Sequence, residues 1–244
     1  MGGVAPATGI TIDSAQAASA LAWWLEMGVD VAVQDSPRDW LQPAPAKTPA
    51  KAANETVAAP NVAELSHQTL AELQDWLASS TQLPLASATA QRIMPVGPEN
   101  APIMLLSDAP TLEDFAAGRP IGGDAWTLTE RMLAAIGIRP DEAYVAPLSC
   151  FYAPGQRLRD ADLAECAEVA RRHIALAKPR RLLLFGDAPA RALLGKPLAS
   201  ARGHLHKIDG VPTVVTFHPR HLLKRTSDKA LAWRDLLLLM EEHP

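Results

Sequence analysis

The sequence predicts an α/β protein of three layers, α/β/α, with a mainly parallel central sheet. Two observations lead to this prediction: short apolar runs recur through the second half of the chain, and amphipathic helical patterns separate them. Strands and helices that alternate in this way form parallel sheets covered on both faces. The predicted strands are residues 102–106, 143–148, 181–185 and 212–217, and the predicted helices that follow them are residues 125–137, 160–177, 187–195 and 228–242.

The chain before this alternating region divides into two parts of different composition. Residues 1–40 are predicted to be an N-terminal helical segment, since Asp13 or Ser14 is placed to cap a helix over residues 13–28. Residues 41–60 are dominated by proline and alanine without a folding period, which is typical of a linker. The α/β domain is expected to span residues 61–244, beginning with a helix at about residues 61–78.

Composition limits the class of protein. The chain has 244 residues, of which 48% are hydrophobic, enough for a substantial core. No apolar run approaches the ~18 residues that a membrane span needs, and the N-terminus lacks the pattern of a secretory signal. Two cysteines in a reducing compartment favour free thiols. We therefore expect a cytoplasmic monomer that does not associate with a membrane.

Charge is distributed unevenly along the sequence. The net charge is −4, yet residues 171–229 carry 13 of the 23 lysines and arginines and only three acidic residues. A basic segment of this kind fits contact with a phosphate backbone. A solvated basic face without a ligand explains the same composition.

The ends of the predicted strands carry polar residues. Ligands of open α/β sheets bind at the carboxyl ends of the strands. Asp108 follows the first strand, Gly186 the third and His218 the fourth. An acid and a histidine are therefore predicted to converge on one rim of the sheet. In the alternative interpretation, His218 only caps the next turn and Asp108 is a turn acid before Pro110.

Four segments resemble the iron–sulfur (family four) branch of the uracil-DNA glycosylase superfamily. RGHLHKIDGVPTVVTFHPRHLLK (202–224) is similar to the family's strand and histidine-proline loop, and KALAWRDLLLL (229–239) to its closing helix. PRRLLLFGDAPARALLG (179–195) resembles the family's strand, glycine and helix segment. SCFYAPGQRLRDADLAECAEVARRHI (149–174) keeps the spacing of its two later cluster cysteines.

The resemblance implies roles for individual residues. It implies that Asp108 stabilises the sugar cation and orients water, and that His218 stabilises the departing base. The residues implied to bind substrate are Ala109, Pro110, Ile121, Ala146 and Gly186, and the basic residues predicted to contact DNA are Arg202, Lys207, Arg220, Lys224 and Arg225. DNA is the partner that this set implies.

The sequence departs from the family where the family's chemistry is concentrated. The motif G-E-A-P-G reads SDAPT at residues 107–111, so the acid is the shorter aspartate. Ile121 stands for the aromatic that stacks on the base, and Ala146 for the asparagine that reads the uracil edge. STQLPL (80–85) contains neither of the family's first two cluster cysteines. A [4Fe–4S] cluster uses four thiolates, and the chain has only Cys150 and Cys166, so no cofactor is predicted. A cluster shared by two chains is the alternative.

We therefore expect N-glycosidic hydrolysis of uracil or another deaminated base from DNA, with reduced or altered activity. A catalytically inactive descendant that binds DNA or a protein partner is the alternative. A nucleotide-binding protein on the same sheet is disfavoured, because no phosphate-loop motif accompanies the strands.

Overall fold

The computed structural model describes residues 67–87, 90–156 and 158–241. The predicted N-terminal segment (1–40) and linker (41–60) lie outside the described residues, so both stay predictions. Within the described ranges, no helix is long and apolar enough to cross a membrane.

The described elements follow the predicted alternation. The strands are β1 (Gln91–Arg92), β2 (Met104–Ser107), β3 (Tyr144–Pro147), β4 (Phe151–Tyr152), β5 (Leu182–Phe185), β6 (Leu205–Ile208) and β7 (Val211–Thr216). The α-helices are α1 (Leu70–Ser79), α2 (Leu112–Ala117), α3 (Gly123–Ala135), α4 (Asp160–Ala177), α5 (Asp187–Leu194), α6 (Leu198–Ala201), α7 (Pro219–Lys224) and α8 (Lys229–Glu241). Short 3-10 turns at Pro140–Glu142 and Thr226–Asp228 complete the set.

Five strands form the central sheet, in the order β3-β2-β5-β7-β6. The first four are parallel, and β6 pairs with β7 in the antiparallel direction. The predicted α/β class with a mainly parallel sheet is confirmed. Because the four parallel strands run in one direction, their carboxyl ends lie at the same edge, which we call the rim.

Both faces of the sheet are covered, as the continuous apolar strands require. Residues alternate between the two faces: Met104 and Leu106 of β2 pack with α4 and α5, whereas Leu105 packs with α3 and α8. All four residues of β2 and of β5 are buried. This double burial explains why these strands read as unbroken apolar runs in the sequence.

Several short elements were not predicted. The two-residue strands β1 and β4 pair antiparallel beside the main sheet, and β6 forms one edge of it. Elements this short have no detectable hydrophobic period. The first described helix, α1, begins at Leu70 with a capping box of Thr69 and Glu72, later than the predicted start near residue 61.

Candidate active site

Three parallel strands of the sheet bring the candidate residues to the rim. β5 lies between β2 and β7, so two strand spacings, about 9–10 Å, separate the ends that carry Ser107 and Thr216. His218 comes two residues after the end of β7, and its side chain spans the gap to the end of β2. Its Nε2 atom lies 3.2 Å from the Ser107 hydroxyl oxygen, a buried contact between residues 111 positions apart.

His218 also begins helix α7. Its Nδ1 atom accepts a hydrogen bond from the backbone N–H of Arg220 at 3.1 Å, and Pro219 occupies the first helical position. An Nδ1 that accepts carries no proton, so in the neutral ring the proton is on Nε2. The Ser107 hydroxyl can accept this proton, whereas the Arg220 guanidinium, which is itself a donor, cannot. The capping role weighed in the sequence is therefore real, and it fixes the tautomer.

The imidazole of His218 is held neutral. Burial lowers its pKa well below the ordinary value, and the nearby Arg220 guanidinium lowers it further. The Nη2 atom of Arg220 lies 3.2 Å from the Nε2 atom of His218. A protonated ring at this position would face a cation across that distance, so the neutral form is stable at physiological pH.

Gly186 directly follows β5, the strand between the two that His218 joins. Its φ of +96° lies in the left-handed region, which side chains other than glycine seldom adopt. A Cβ added there would approach the Cβ of His218 to 3.9 Å, an ordinary contact. The backbone conformation therefore requires glycine here, and His218 packs directly over it.

Asp108 lies half-buried immediately after β2. Burial raises the pKa of its carboxyl group, although the backbone N–H of Ala109, donating to Oδ1 at 2.7 Å, and the Arg220 cation both lower it. Asp187 raises the pKa of Asp108 further. The Arg220 cation therefore acts electrostatically on both Asp108 and His218, and the direct contact recorded among the described residues is the one between Arg220 and His218.

Arg220 is in turn held by a carboxylate that the sequence did not single out. Asp114 is fully buried and pairs with Arg220. It also accepts hydrogen bonds from the backbone N–H groups of Gly122 and Thr111, each at 2.7 Å, and from the Thr111 hydroxyl at 2.8 Å. This carboxylate joins the loop after β2, the start of α3 and the helix of His218. One local signal in the sequence could have identified Asp114: it stands three residues after Thr111, the spacing of a capping box at the start of α2.

The structure brings together only part of the predicted substrate-binding set. Ala109 is half-buried beside Asp108, and Pro110 is buried. Ile121 and Ala146 are both fully buried: Ile121 lies in the cluster between the sheet and α3, and Ala146 lies within β3. Their side chains therefore contact protein atoms.

The predicted DNA-contacting residues also differ in their surroundings. Arg202 pairs with the buried Asp235 at 2.8 Å and covers the ring of Phe217, and Arg220 pairs with Asp114. Lys207, Lys224 and Arg225 are exposed. A groove of about 390 Å³ lies beside Arg220. Its lining is formed by Thr111, Leu112, Glu113, Asp124, Arg220, Leu223 and Lys224.

The region around Cys150 and Cys166 is apolar. Both thiols are buried and free, and burial raises the pKa of Cys150 to about 11 and that of Cys166 to about 12. They line a cavity of about 20 Å³, roughly the size of one water molecule, whose wall includes Leu77 and Leu83. Among the described residues, no group of three or more potential ligands is placed to hold a metal ion. Two thiols do not fit a four-thiolate cluster.

Comparison with known proteins gives consistent matches. The model of the uracil DNA glycosylase superfamily matches residues 94–237, more than half of the chain and the part that contains the rim. The chain is 23% identical over 180 residues to the type-4 uracil-DNA glycosylase of Pyrobaculum aerophilum, covering 69% of this chain and 92% of that protein. It is 23% identical over 141 residues to the type-4 uracil-DNA glycosylase of Archaeoglobus fulgidus, covering 53% and 71% respectively.

Proposed function

The chain belongs to the uracil DNA glycosylase superfamily, and from this premise we propose that it binds DNA and hydrolyses the N-glycosidic bond of uracil or another deaminated base. This reaction begins base excision repair. The observation that supports the proposal most directly is that Asp108 and neutral His218 follow the carboxyl ends of β2 and β7 at the rim, where Ser107, the residue before Asp108, lies 3.2 Å from the His218 ring. A base extruded from the stack would have to enter at this edge of the sheet.

His218 would act on the leaving group. Cleavage of the glycosidic bond leaves an electron pair on the base, and negative charge develops on its carbonyl oxygen. The Nε2–H of a neutral imidazole can donate a hydrogen bond to that oxygen, and the nearby Arg220 cation favours the same charge. In the complex, the Nε2–H would turn from the Ser107 hydroxyl to the base.

Asp108 would act on the sugar. The anomeric carbon becomes cationic as the base departs, and a carboxylate beside it stabilises that charge and orients the attacking water. The water oxygen bonds to the carbon, and one of its protons passes to solvent or to the base. Aspartate is one methylene shorter than glutamate, about 1.5 Å, so a site built for the longer side chain would work less efficiently.

We propose that the activity is reduced or altered in substrate. A pocket discriminates strongly only where it pairs polar groups with the edge of the substrate, and the Ala146 methyl group offers none. Ile121 is fully buried and has no aromatic face. Lys207, Lys224 and Arg225 are proposed to contact phosphates, which would position DNA without reading its sequence. We also propose that the protein is located in the cytoplasm, is a monomer and binds no iron–sulfur cluster.

The proposal is tested by measuring base release from single-stranded DNA that contains one uracil, with parallel substrates carrying other deaminated bases. His218→Ala and Asp108→Ala are each expected to lower the rate by about 10²- to 10⁴-fold. His221→Ala is the matched control, since His221 lies on the same helix and pairs with Asp228 away from Ser107.

Unchanged rates in both variants would reject the two assigned roles. No release by the wild-type protein from any of these substrates, together with salt-sensitive DNA binding, would support the catalytically inactive alternative. The contact that already occupies the Nε2–H of His218 is the observation that favours this alternative.

A further inference from the structure

Two aromatic rings stack on each other close to the proposed site. The centroids of Phe115 and Tyr152 are 5.7 Å apart and their planes differ by 13°, an offset parallel stack. Both residues are half-buried. Phe115 belongs to α2, which follows β2, and Tyr152 belongs to β4, which follows β3. Since β2 and β3 are adjacent parallel strands, with Ser107 opposite Pro147, the stack lies on the rim side of the sheet.

This aromatic pair is separate from the described hydrophobic core. Neither ring belongs to the three buried clusters formed by the described residues, nor to the half-buried side chains that pack against those clusters. By contrast, Trp76 and Trp126, which are also half-buried, pack against the core. Core packing therefore does not explain why two large rings are placed here.

The backbone on each side of the pair is fixed. Phe115 follows Asp114, whose carboxylate is held by Arg220, Thr111 and Gly122, and the backbone N–H of Phe115 donates to the Thr111 carbonyl. Tyr152 pairs with Gln91 in the β1–β4 ladder. A platform fixed on both sides loses little freedom when a ligand stacks on it.

We propose that Phe115 and Tyr152 form a stacking platform for a base of the DNA strand, next to the nucleotide that enters the site. The inference rests on the proposed function for the identity of its ligand. An aromatic surface accepts any nucleobase because every base has a π face, and such platforms are common in single-strand binding. Ile121 and Ala146 are fully buried, so the exposed parts of Phe115 and Tyr152 supply aromatic surface that those two positions do not.

The platform is tested by binding measurements with undamaged DNA, which do not depend on base release. Fluorescence anisotropy would compare a labelled oligothymidylate with an oligonucleotide of equal length whose central positions are abasic. The wild-type protein is expected to bind the base-containing strand about 5- to 100-fold more tightly, the range of one to a few stacking contacts.

The informative variant is Phe115→Leu/Tyr152→Leu, which keeps apolar volume and removes both rings. It is expected to lose the preference for bases while binding the abasic strand as the wild type does. Tyr152→Phe should retain the preference. Trp233→Leu, which changes an exposed aromatic residue on α8, is the control for loss of an aromatic surface in general.

Base-dependent binding that survives in the double leucine variant, or that is absent from the wild type, overturns the platform. These outcomes are distinct from failure of the proposed function. A wild-type protein that releases no base but shows base-dependent binding, lost with both rings, would support the platform and reject the glycosylase activity.

Discussion

The rim around His218 and the region around Cys150 differ in the kind of interaction that holds them. At the rim, Ser107, His218, Arg220 and Asp114 form a continuous and largely buried polar network of hydrogen bonds and one ion pair. Around Cys150, the corresponding space is filled by leucine, phenylalanine and valine side chains. The first region depends on directional hydrogen bonds and the second on volume.

This contrast explains how the fold is held around Cys150 in a chain that has only two thiols. Apolar packing tolerates substitution as long as volume and pattern are kept. A buried charge network does not, because removing one partner leaves the other unsatisfied. The polar region should therefore be sensitive to single substitutions and the cysteine region tolerant of them.

The largest expected effect on stability is that of Asp114→Asn. This change leaves the Arg220 guanidinium without its carboxylate in a largely buried position, and breaking such a pair costs about 3–5 kcal/mol. Urea unfolding followed by circular dichroism measures the loss. Asp124→Asn, an exposed acid on α3, is the control and should stay within about 0.5 kcal/mol of wild type. If Asp114→Asn lost no more stability than the control, the Asp114–Arg220 pair would not stabilise the folded state as predicted.

The apolar region contains a buried histidine, His173, whose pH dependence sharpens the comparison. His173 is buried, its pKa is lowered to about 4 by burial, and its Nε2 lies 2.7 Å from the Tyr144 hydroxyl. The unfolded chain binds this proton below about pH 6.5, whereas the folded chain does not until about pH 4. The free energy of unfolding is therefore expected to fall by about 3 kcal/mol as the pH decreases through that window.

The measurement is urea unfolding at several pH values for the wild type, His173→Gln and His204→Gln. Other groups titrate in the same window, so the difference between variants isolates His173. The pH slope should shrink in His173→Gln and persist in His204→Gln, whose histidine is exposed. Equal slopes in all three proteins would contradict the assignment.

A smaller effect is expected from Ser107→Ala, and it should appear in the rate of base release. The Ser107 hydroxyl accepts the Nε2–H that the departing base would need, so its removal frees His218 for the substrate. One hydrogen bond contributes about 0.5–1.5 kcal/mol, which corresponds to a rate increase of about 2- to 10-fold. Single-turnover rates with uracil DNA would measure it. A decreased rate would mean that Ser107 positions His218 for the reaction.

The smallest effect on base release is expected from replacing the two cysteines, Cys150 and Cys166. Cys150→Ala/Cys166→Ala should release base at the wild-type rate and lose about 1–2 kcal/mol of stability through slightly reduced packing. Base-release assays and thermal unfolding test the two statements. A loss of activity larger than the loss of stability explains would show that the thiols have a role beyond packing.

Much of the fold could be predicted because its signals are local. The strands that end at Ser107, Pro147, Phe185 and Thr216 were found within a few residues, since doubly buried strands form unbroken apolar runs. The edge strand β6 and the two-residue strands β1 and β4 were missed. Their half-exposed or very short runs have no period that distinguishes them from loops.

The candidate site could be predicted only in outline. Asp108 and His218 stand at strand ends in the sequence, and the structure places both at the rim, where Ser107, the residue before Asp108, contacts His218. Asp114 received no role, because nothing local indicates that its carboxylate is buried against an arginine 106 residues away. Ile121 and Ala146 were predicted to contact substrate, and their complete burial follows from the packing of α3 and β3.

By itself, the sequence determined which chemical groups follow which strands: an acid after β2, a glycine after β5 and a histidine after β7. It also determined that two cysteines are present where a cluster needs four. The tertiary structure alone decided which of these groups touch and in what state they are held. His218 is neutral and bound to Ser107 because the sheet places β5, which Gly186 follows, between their strands and because Asp114 anchors Arg220 beside them. Burial and long-range contacts set proton positions, and neither is encoded within a local stretch of residues.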